Sequence, residues 1–159
     1  MNLDTCFILG LNGIEKKPLV LVVDSNIDNL YLTIEVLKSR DCSPIAATNG
    51  KEALYMAEQY QPNLILLELM LTGIDGIDII RHLRQNGNTV PIIAVTSLVT
   101  HGHRKRAFLA GCNEYVNKPY EIDQLETTVS RYLEPESSLF SLCKSTPDLE
   151  HESDFSSPQ

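Results

Sequence analysis

The feature that most constrains the fold is an alternation between Pro18 and Leu133 of short apolar runs with longer segments of helical periodicity. Five runs have the length and the bounding residues of strands, at about 19–23, 45–47, 64–68, 91–95 and 114–116. Each is followed by a segment with apolar residues at helical spacing, among them 27–39, 101–110 and 121–133. Such an alternation predicts an α/β protein in which crossover helices join parallel strands and cover both faces of the sheet.

Five such units within residues 18–133 fit a flavodoxin-like, doubly wound, five-stranded parallel sheet with strand order 2-1-3-4-5. Apolar positions at helical spacing predict the inward face of four helices. These positions are Ile27, Leu30, Tyr31, Ile34 and Leu37 in the first helix, Ala53, Leu54, Ala57 and Tyr60 in the second, Ile77, Ile80 and Leu83 in the third, and Ile122, Leu125, Val129 and Tyr132 in the fifth.

The ends of the chain differ in composition from this domain. Residues 1–17 are expected to be an N-terminal extension. Residues 134–159 are rich in Ser, Pro and acids, and their six acids against one base give this segment a charge of −5. A segment with so little periodicity is expected to be a disordered tail.

Bulk composition excludes several classes of function. The net charge of −8 argues against non-specific nucleic-acid binding. No apolar run reaches the roughly 18 residues of a membrane span, and the first 17 residues lack the basic start of a secretory signal. Four scattered cysteines without a CxxC pattern are expected to be free thiols, which indicates a cytoplasmic protein. They are Cys6, Cys42, Cys112 and Cys143.

Polar side chains follow the predicted strands at the points where those strands end. Ligands of doubly wound sheets bind outside the carboxyl ends of the strands, near the switch in strand order. The strand pattern alone therefore predicts that these polar residues form one site. They are Asp24, Ser25, Glu68, Thr96 and Lys118.

In order and spacing, four segments resemble the receiver domain of two-component response regulators, which is a CheY-like fold. The segments are LVLVVDSN (19–26), PNLILLEL (62–69) with MLTGIDG (70–76), PIIAVTS (91–97) and EYVNKPY (114–120). The resemblance implies roles for the matching residues. Asp24 would be the first acid of the metal-binding pair, Thr96 the hydroxyl that contacts the phosphoryl group, and Tyr115 the aromatic switch residue. Lys118 would neutralise the phosphoryl charge, and the Lys118–Pro119 bond would be cis.

Two positions depart from the family pattern. Ser25 stands where the family has its second metal-binding acid, and Glu68 stands at the phosphoacceptor position, where the family has Asp. A glutamate reaches about 1.5 Å further than an aspartate, which moves its oxygen off the line of attack and towards Lys118. Magnesium prefers a few well-placed carboxylates, so the loss of an acid at Ser25 predicts weak Mg²⁺ binding at best, with Asp24 and Glu68 as weak candidate ligands. No other cofactor is expected.

Three interpretations of Glu68 remain open: a structural partner of Lys118, a constitutive mimic of the phosphorylated state, and a poor phosphoacceptor. We expect a stand-alone pseudo-receiver, not an enzyme, that signals through protein contact without phosphorylation or with a constitutive bias. The alternative is a working receiver that a histidine kinase phosphorylates on a non-standard acid.

A surface for partner contact is expected on helix four, strand five and helix five, with Arg104, Lys105 and Tyr115 as contact residues. The expected partner is a histidine kinase or a downstream effector, and the chain itself is expected to be a monomer or a weak homodimer. The basic run from Arg104 to Arg106 also fits a solvated helix face, which is the simpler interpretation. His101 and His103 lie two residues apart, which points them to different sides of a helix and predicts surface residues instead of a metal pair.

Overall fold

A computed structural model describes residues 16–134 of the chain. The strands are β1 (Leu19–Val23), β2 (Ser43–Ala47), β3 (Leu64–Leu67), β4 (Ile92–Thr96) and β5 (Glu114–Asn117). The helices are α1 (Ile27–Ser39), α2 (Gly50–Tyr60), α3 (Gly76–Gln85), α4 (His101–Ala110) and α5 (Ile122–Leu133). Within this part of the chain no helix is long and apolar enough to span a bilayer. The predicted extension and acidic tail lie almost entirely outside the described residues.

The five strands form one parallel sheet in the order β2-β1-β3-β4-β5, which confirms the predicted topology. The register aligns the carboxyl ends of the strands. Leu67 at the end of β3 is paired with Val23 on one side and with Ala94 on the other, and Ala94 is paired with Tyr115 of β5. Residues that follow β1, β3, β4 and β5 therefore emerge at the same edge of the sheet.

Two apolar layers hold the sheet, one on each face. The first layer packs α2, α3 and α4 against the sheet, with Ala53, Ile80 and Ala107 fully or almost fully buried. The second packs α1 and α5 against the opposite face through residues such as Leu37 and Leu125. A strand that is covered on both faces buries all of its side chains, so its sequence is a continuous apolar run. β3, with the sequence LILL, is an example.

Several predicted inward positions are wrong. The side chains of Ile27, Tyr31, Tyr60 and Ile122 are largely exposed. Ile27, Tyr60 and Ile122 are terminal residues of their helices, and Tyr31 lies one turn after Ile27 on the same exposed side of α1. In α1 the structure buries Thr33 and Val36 instead. The other predicted inward positions are buried or partly buried.

Strand bounds differ from the sequence prediction by one or two residues. The edge strand β2 begins at Ser43 and includes Pro44; a proline is tolerated there because an edge strand leaves one row of N–H groups without a ladder partner. β3 ends at Leu67, so Glu68 lies just outside the strand. β4 ends at Thr96 instead of Val95, and β5 extends to Asn117.

A lysine and two carboxylates at the carboxyl edge of the sheet

Three charged side chains meet at the carboxyl edge of the sheet. Asp24 follows β1, Glu68 follows β3 and Lys118 follows β5. Because β4 separates β3 from β5, only a long side chain from β5 can reach the acids, and lysine has the required length. Both acids are buried, at 7% exposure for Asp24 and 6% for Glu68. The site predicted from the strand ends therefore exists as a cluster of these three residues.

The Lys118 ammonium group bridges the two acids. Its Nζ donates to Asp24 Oδ2 at 2.5 Å and to Glu68 Oε2 at 2.9 Å. Burial lowers the pKa of Lys118, but its hydrogen bonds to Asp24 and Glu68 outweigh that effect and leave the pKa above its usual value. The lysine is therefore a cation at neutral pH, and one positive charge faces two carboxylates in a largely buried setting.

The two carboxylates also accept hydrogen bonds from other groups. Asp24 Oδ1 accepts from the Asn26 backbone N–H at 2.8 Å, and Asp24 Oδ2 accepts from Asn29 Nδ2 at 3.3 Å. Glu68 Oε1 accepts from the Met70 backbone N–H at 2.9 Å. Sequence reasoning missed Asn26 and Asn29. Asn26 could have been found as the residue that caps α1, whereas only the path of α1 past the site reveals Asn29.

The side chains of two predicted site residues form no hydrogen bond with the three charged groups. Ser25 is exposed. Thr96 is fully buried, and its hydroxyl accepts from the Leu98 N–H at 3.3 Å. The Thr96 backbone carbonyl fixes the next strand by accepting from the Lys118 N–H at 2.9 Å. The Lys118–Pro119 peptide bond is cis, as the family resemblance implies.

Tyr115 points into the protein instead of lying on the predicted contact surface. It is 6% exposed, and its hydroxyl donates to the Leu98 carbonyl. The Arg104 guanidinium covers the ring at 5.5 Å from the ring centroid. Burial raises the pKa of the Tyr115 phenol, although the positive charge of Arg104 opposes the rise. In this state the exposed surface at that place is supplied by Arg104 and not by Tyr115.

The loop after Glu68 is held by close contacts within its own backbone. Gly76 N–H donates to the Leu69 carbonyl at 2.8 Å, and Met70 and Asp75 form an antiparallel bridge. A Cβ atom at Gly76 would lie 2.6 Å from Leu69 Cα and 2.8 Å from the Glu68 carbonyl oxygen. These are backbone atoms, which cannot move away by a change of rotamer, so this position requires glycine. The close approach fixes the path of the loop that follows Glu68.

The donor set does not fit a magnesium ion. Both oxygens of Asp24 and both of Glu68 already accept hydrogen bonds, and the neighbouring Ser25 adds only an uncharged hydroxyl to the two carboxylates. The cavity that Asp24, Glu68 and Lys118 line together with Thr33 and apolar residues of the sheet measures only about 10 Å³. Within residues 16–134 no group of three potential acid, His or Cys ligands is close enough to hold a metal ion.

The start of α4 is a second charged region. Arg104 and Lys105 are exposed, and neither forms a salt bridge with another described residue. Arg106 lies 3.7 Å from Asp75. His103 Nδ1 lies 2.6 Å from the hydroxyl of Thr100, which caps the helix. The predicted basic surface therefore consists mainly of Arg104 and Lys105.

Comparison with known proteins settles the family. Residues 20–130 match the model of the response regulator receiver domain. The chain belongs to the response regulator receiver family. Receiver domains act in two-component signalling, in which they contact histidine kinases and effectors.

Known relatives agree in sequence and in structure. The polar-differentiation response regulator DivK of Brucella anthropi is 29% identical over 116 residues, covering 72% of this chain and 94% of DivK. The receiver domain of the Pseudomonas aeruginosa sensor histidine kinase PA1611, solved with a magnesium ion in its active-site cleft, is 30% identical with a TM-score of 0.67, over 73% of this chain and 97% of that one. The Francisella response regulator 1452 receiver domain is 25% identical with a TM-score of 0.70, covering 73% of this chain and 96% of that one.

Proposed function

We propose that this receiver domain signals in the cytoplasm through protein contact, without phosphoryl transfer and without a bound metal. The bridge from Lys118 to both Asp24 and Glu68, at 2.5 and 2.9 Å, carries the proposal. It supplies within the chain the charge balance that a cation would otherwise provide. The site would then hold one arrangement permanently instead of switching with phosphorylation.

Three further features disfavour phosphoryl transfer. The Glu68 oxygens are held by Lys118 and by the Met70 N–H, so neither is free to attack a phosphorus atom in line. A displacement of about 1 Å from the attack line costs about a hundredfold in rate, and the extra methylene of glutamate is longer than that. Ser25 supplies no carboxylate for a magnesium ion, which would otherwise balance the negative charge on the transferring oxygens.

The inward position of Tyr115 supports a constitutive bias. Its hydroxyl is bonded to the Leu98 carbonyl, and Arg104 covers the ring. Glu68 places a permanent negative charge where phosphorylation would add about −1.5 to −2.

With the Tyr115 side chain inside, the face formed by α4, β5 and α5 presents Arg104 and Lys105, which favours a partner with an acidic patch. The alternative of a slow phosphoacceptor at Glu68 is decided by the experiment below.

Intact-mass measurement after incubation with a small phosphodonor and magnesium tests the proposal. The wild-type chain is expected to gain no species heavier by about 80 Da, the mass of one phosphoryl group. The double variant Ser25→Asp with Glu68→Asp restores the family's acids and is expected to gain it. Each single variant should gain little, because residues that act as one catalytic unit are strongly non-additive.

The double variant is also the positive control for the phosphodonor. A substantial phosphorylated wild-type species, mapped to Glu68 by fragmentation, would replace the proposal with the phosphoacceptor alternative. Strong labelling of Glu68→Asp alone would show that Ser25 does not limit the chemistry.

A further inference from the structure

The exposed face of α4 has a basic half and an apolar half. Arg104 lies one turn before Phe108, and Lys105 lies one turn before Leu109, so these four side chains share one face of the helix. Phe108 is 39% exposed and Leu109 is 78% exposed. The basic half therefore lies towards the carboxyl edge of the sheet, where α4 begins, and the apolar half lies towards the opposite edge.

Three features of the basic half favour an anion there. Positive side chains near the start of a helix are opposed by the helix dipole, which favours negative charge there. Among residues 16–134, Arg104 and Lys105 have no acidic partner within salt-bridge distance. The Arg104 guanidinium is also held in place over the rings of Phe108 and Tyr115, at 5.7 and 5.5 Å. A guanidinium fixed on its flat face still offers its N–H edge to a carboxylate.

The chain's own C-terminal segment, residues 135–159, has matching chemistry in matching order. An apolar group comes first, with Leu139, Phe140 and Leu142. An acidic group comes second, and it consists of Asp148, Glu150, Glu152 and Asp154. From the end of α4 towards its start, the helix also presents the apolar pair Phe108 and Leu109 before the basic pair Arg104 and Lys105.

The fold brings the start of this segment to the correct end of α4. The hydroxyl of Tyr132, near the end of α5, donates to the Asn113 carbonyl at 3.2 Å. Asn113 lies just after Gly111, which caps the end of α4. Five residues beyond Glu134 span at most about 17 Å, more than the 10–12 Å diameter of a helix. Five residues are therefore long enough to carry Leu139 and Phe140 across the width of one helix from the end of α5, and the acids follow further along the chain.

We propose that residues 139–154 bind along the exposed face of α4 in the same molecule, with the apolar group on Phe108 and Leu109 and the acidic group on Arg104 and Lys105. The segment would cover the surface that the proposed partner uses, so an acidic partner would have to displace it. This binding is intramolecular and can be measured without a partner or phosphorylation. Its failure is therefore distinguishable from failure of the proposed function.

Backbone amide NMR of the full chain tests the inference. The tail variant replaces Asp148 and Asp154 with Asn, and Glu150 and Glu152 with Gln. It is expected to shift amides of 101–109 and to leave α1 and α2 unchanged. In about 1 M salt the screening length is about 3 Å. The wild-type amides of 101–109 should then have chemical shifts close to those of the tail variant.

A charge exchange provides the specific control. Arg104→Glu with Lys105→Glu should move the amides of 148–154 to the positions they have in high salt, and adding Asp148→Lys with Glu150→Lys should restore them. The matched reversal Lys51→Glu with Arg81→Glu, on α2 and α3, should leave 148–154 unchanged. Unchanged α4 amides in the tail variant would overturn the inference. So would shifts that vanish on tenfold dilution, because they would assign the contact to a second copy of the chain.

Discussion

The carboxyl-edge site and the α4 face carry charge in opposite ways. At the site one cation serves two buried carboxylates, and the side chain of Lys118 is only 17% exposed. On α4, Arg104 and Lys105 are exposed and share no acid among the described residues. Buried charges are costly when a partner is removed, whereas exposed charges contribute little to folding. The comparison implies that charge maintains the structure at the site and is available for recognition on α4.

Loss of the cation at the site should have the largest effect. Lys118→Met keeps a similar length but leaves Asp24 and Glu68 buried without a counter-charge. The expected loss in free energy of unfolding is about 3 kcal/mol at pH 7, because an unpaired buried charge is strongly destabilising. Urea unfolding followed by circular dichroism measures it.

A neutral triple variant serves as the control for Lys118→Met. Adding Asp24→Asn and Glu68→Gln removes the uncompensated charges and should recover most of the lost stability. A loss below about 1 kcal/mol in the single variant would place this cluster with ordinary surface pairs and would remove the contrast with α4.

Above pH 7 the same difference should change only at alkaline values. Hydrogen bonds to both acids outweigh burial and raise the folded-state pKa of Lys118 above its usual value. The stability that its charge supplies is therefore fully present below the unfolded-state pKa of about 10.4, and it is lost as the pH rises through the folded-state pKa. The difference between wild type and Lys118→Met should be constant from about pH 7 to 9 and should shrink above about pH 10.4.

Tyrosines and other lysines titrate in both proteins, so their effects cancel in that difference. A difference that already falls between about pH 7 and 9 would show that the charge of Lys118 is not held by its two acids.

Packing separates the two regions as clearly as charge does. Gly76→Ala places a methyl group against backbone atoms of Leu69 and Glu68 and should destabilise the protein by about 1–3 kcal/mol. Gly102→Ala on α4 meets no atom within 4 Å and should stabilise it by about 0.5–1 kcal/mol through helix propensity. Thermal unfolding of both variants measures the pair. Equal effects of the same sign would mean that the loop after Glu68 relaxes easily.

The smallest effect on stability is expected from Arg104→Glu with Lys105→Glu. Both side chains are exposed, so the free energy of unfolding should change by less than about 0.5 kcal/mol. Urea unfolding at about 1 M salt, where any contact with an acidic segment is screened, isolates this term. A loss above about 1 kcal/mol would mean that the stacking of Arg104 on Tyr115 is a structural requirement.

The sequence predicted the features that depend only on the spacing of apolar residues. The apolar runs located all five strands, and their parallel arrangement predicted that residues 24, 68 and 118 would meet. Sequence reasoning failed at helix ends such as Ile27 and Ile122, because spacing identifies a face of a helix but not how far the sheet extends beneath it. The inward direction of Tyr115 depends on which layer receives each side of β5, and only the assembled sheet determines that. The contact of Asn29 with Asp24 likewise depends on where α1 crosses the carboxyl edge.

The Lys118 bridge also has a kinetic consequence. It joins residues that are 94 and 50 positions apart along the chain, so it closes two long loops. Contacts of such high sequence separation form only after most of the chain has been brought together. A bridge that is absent from the folding transition state slows unfolding and leaves the folding rate nearly unchanged. The three charged residues would thus lower the unfolding rate and lengthen the lifetime of the folded state.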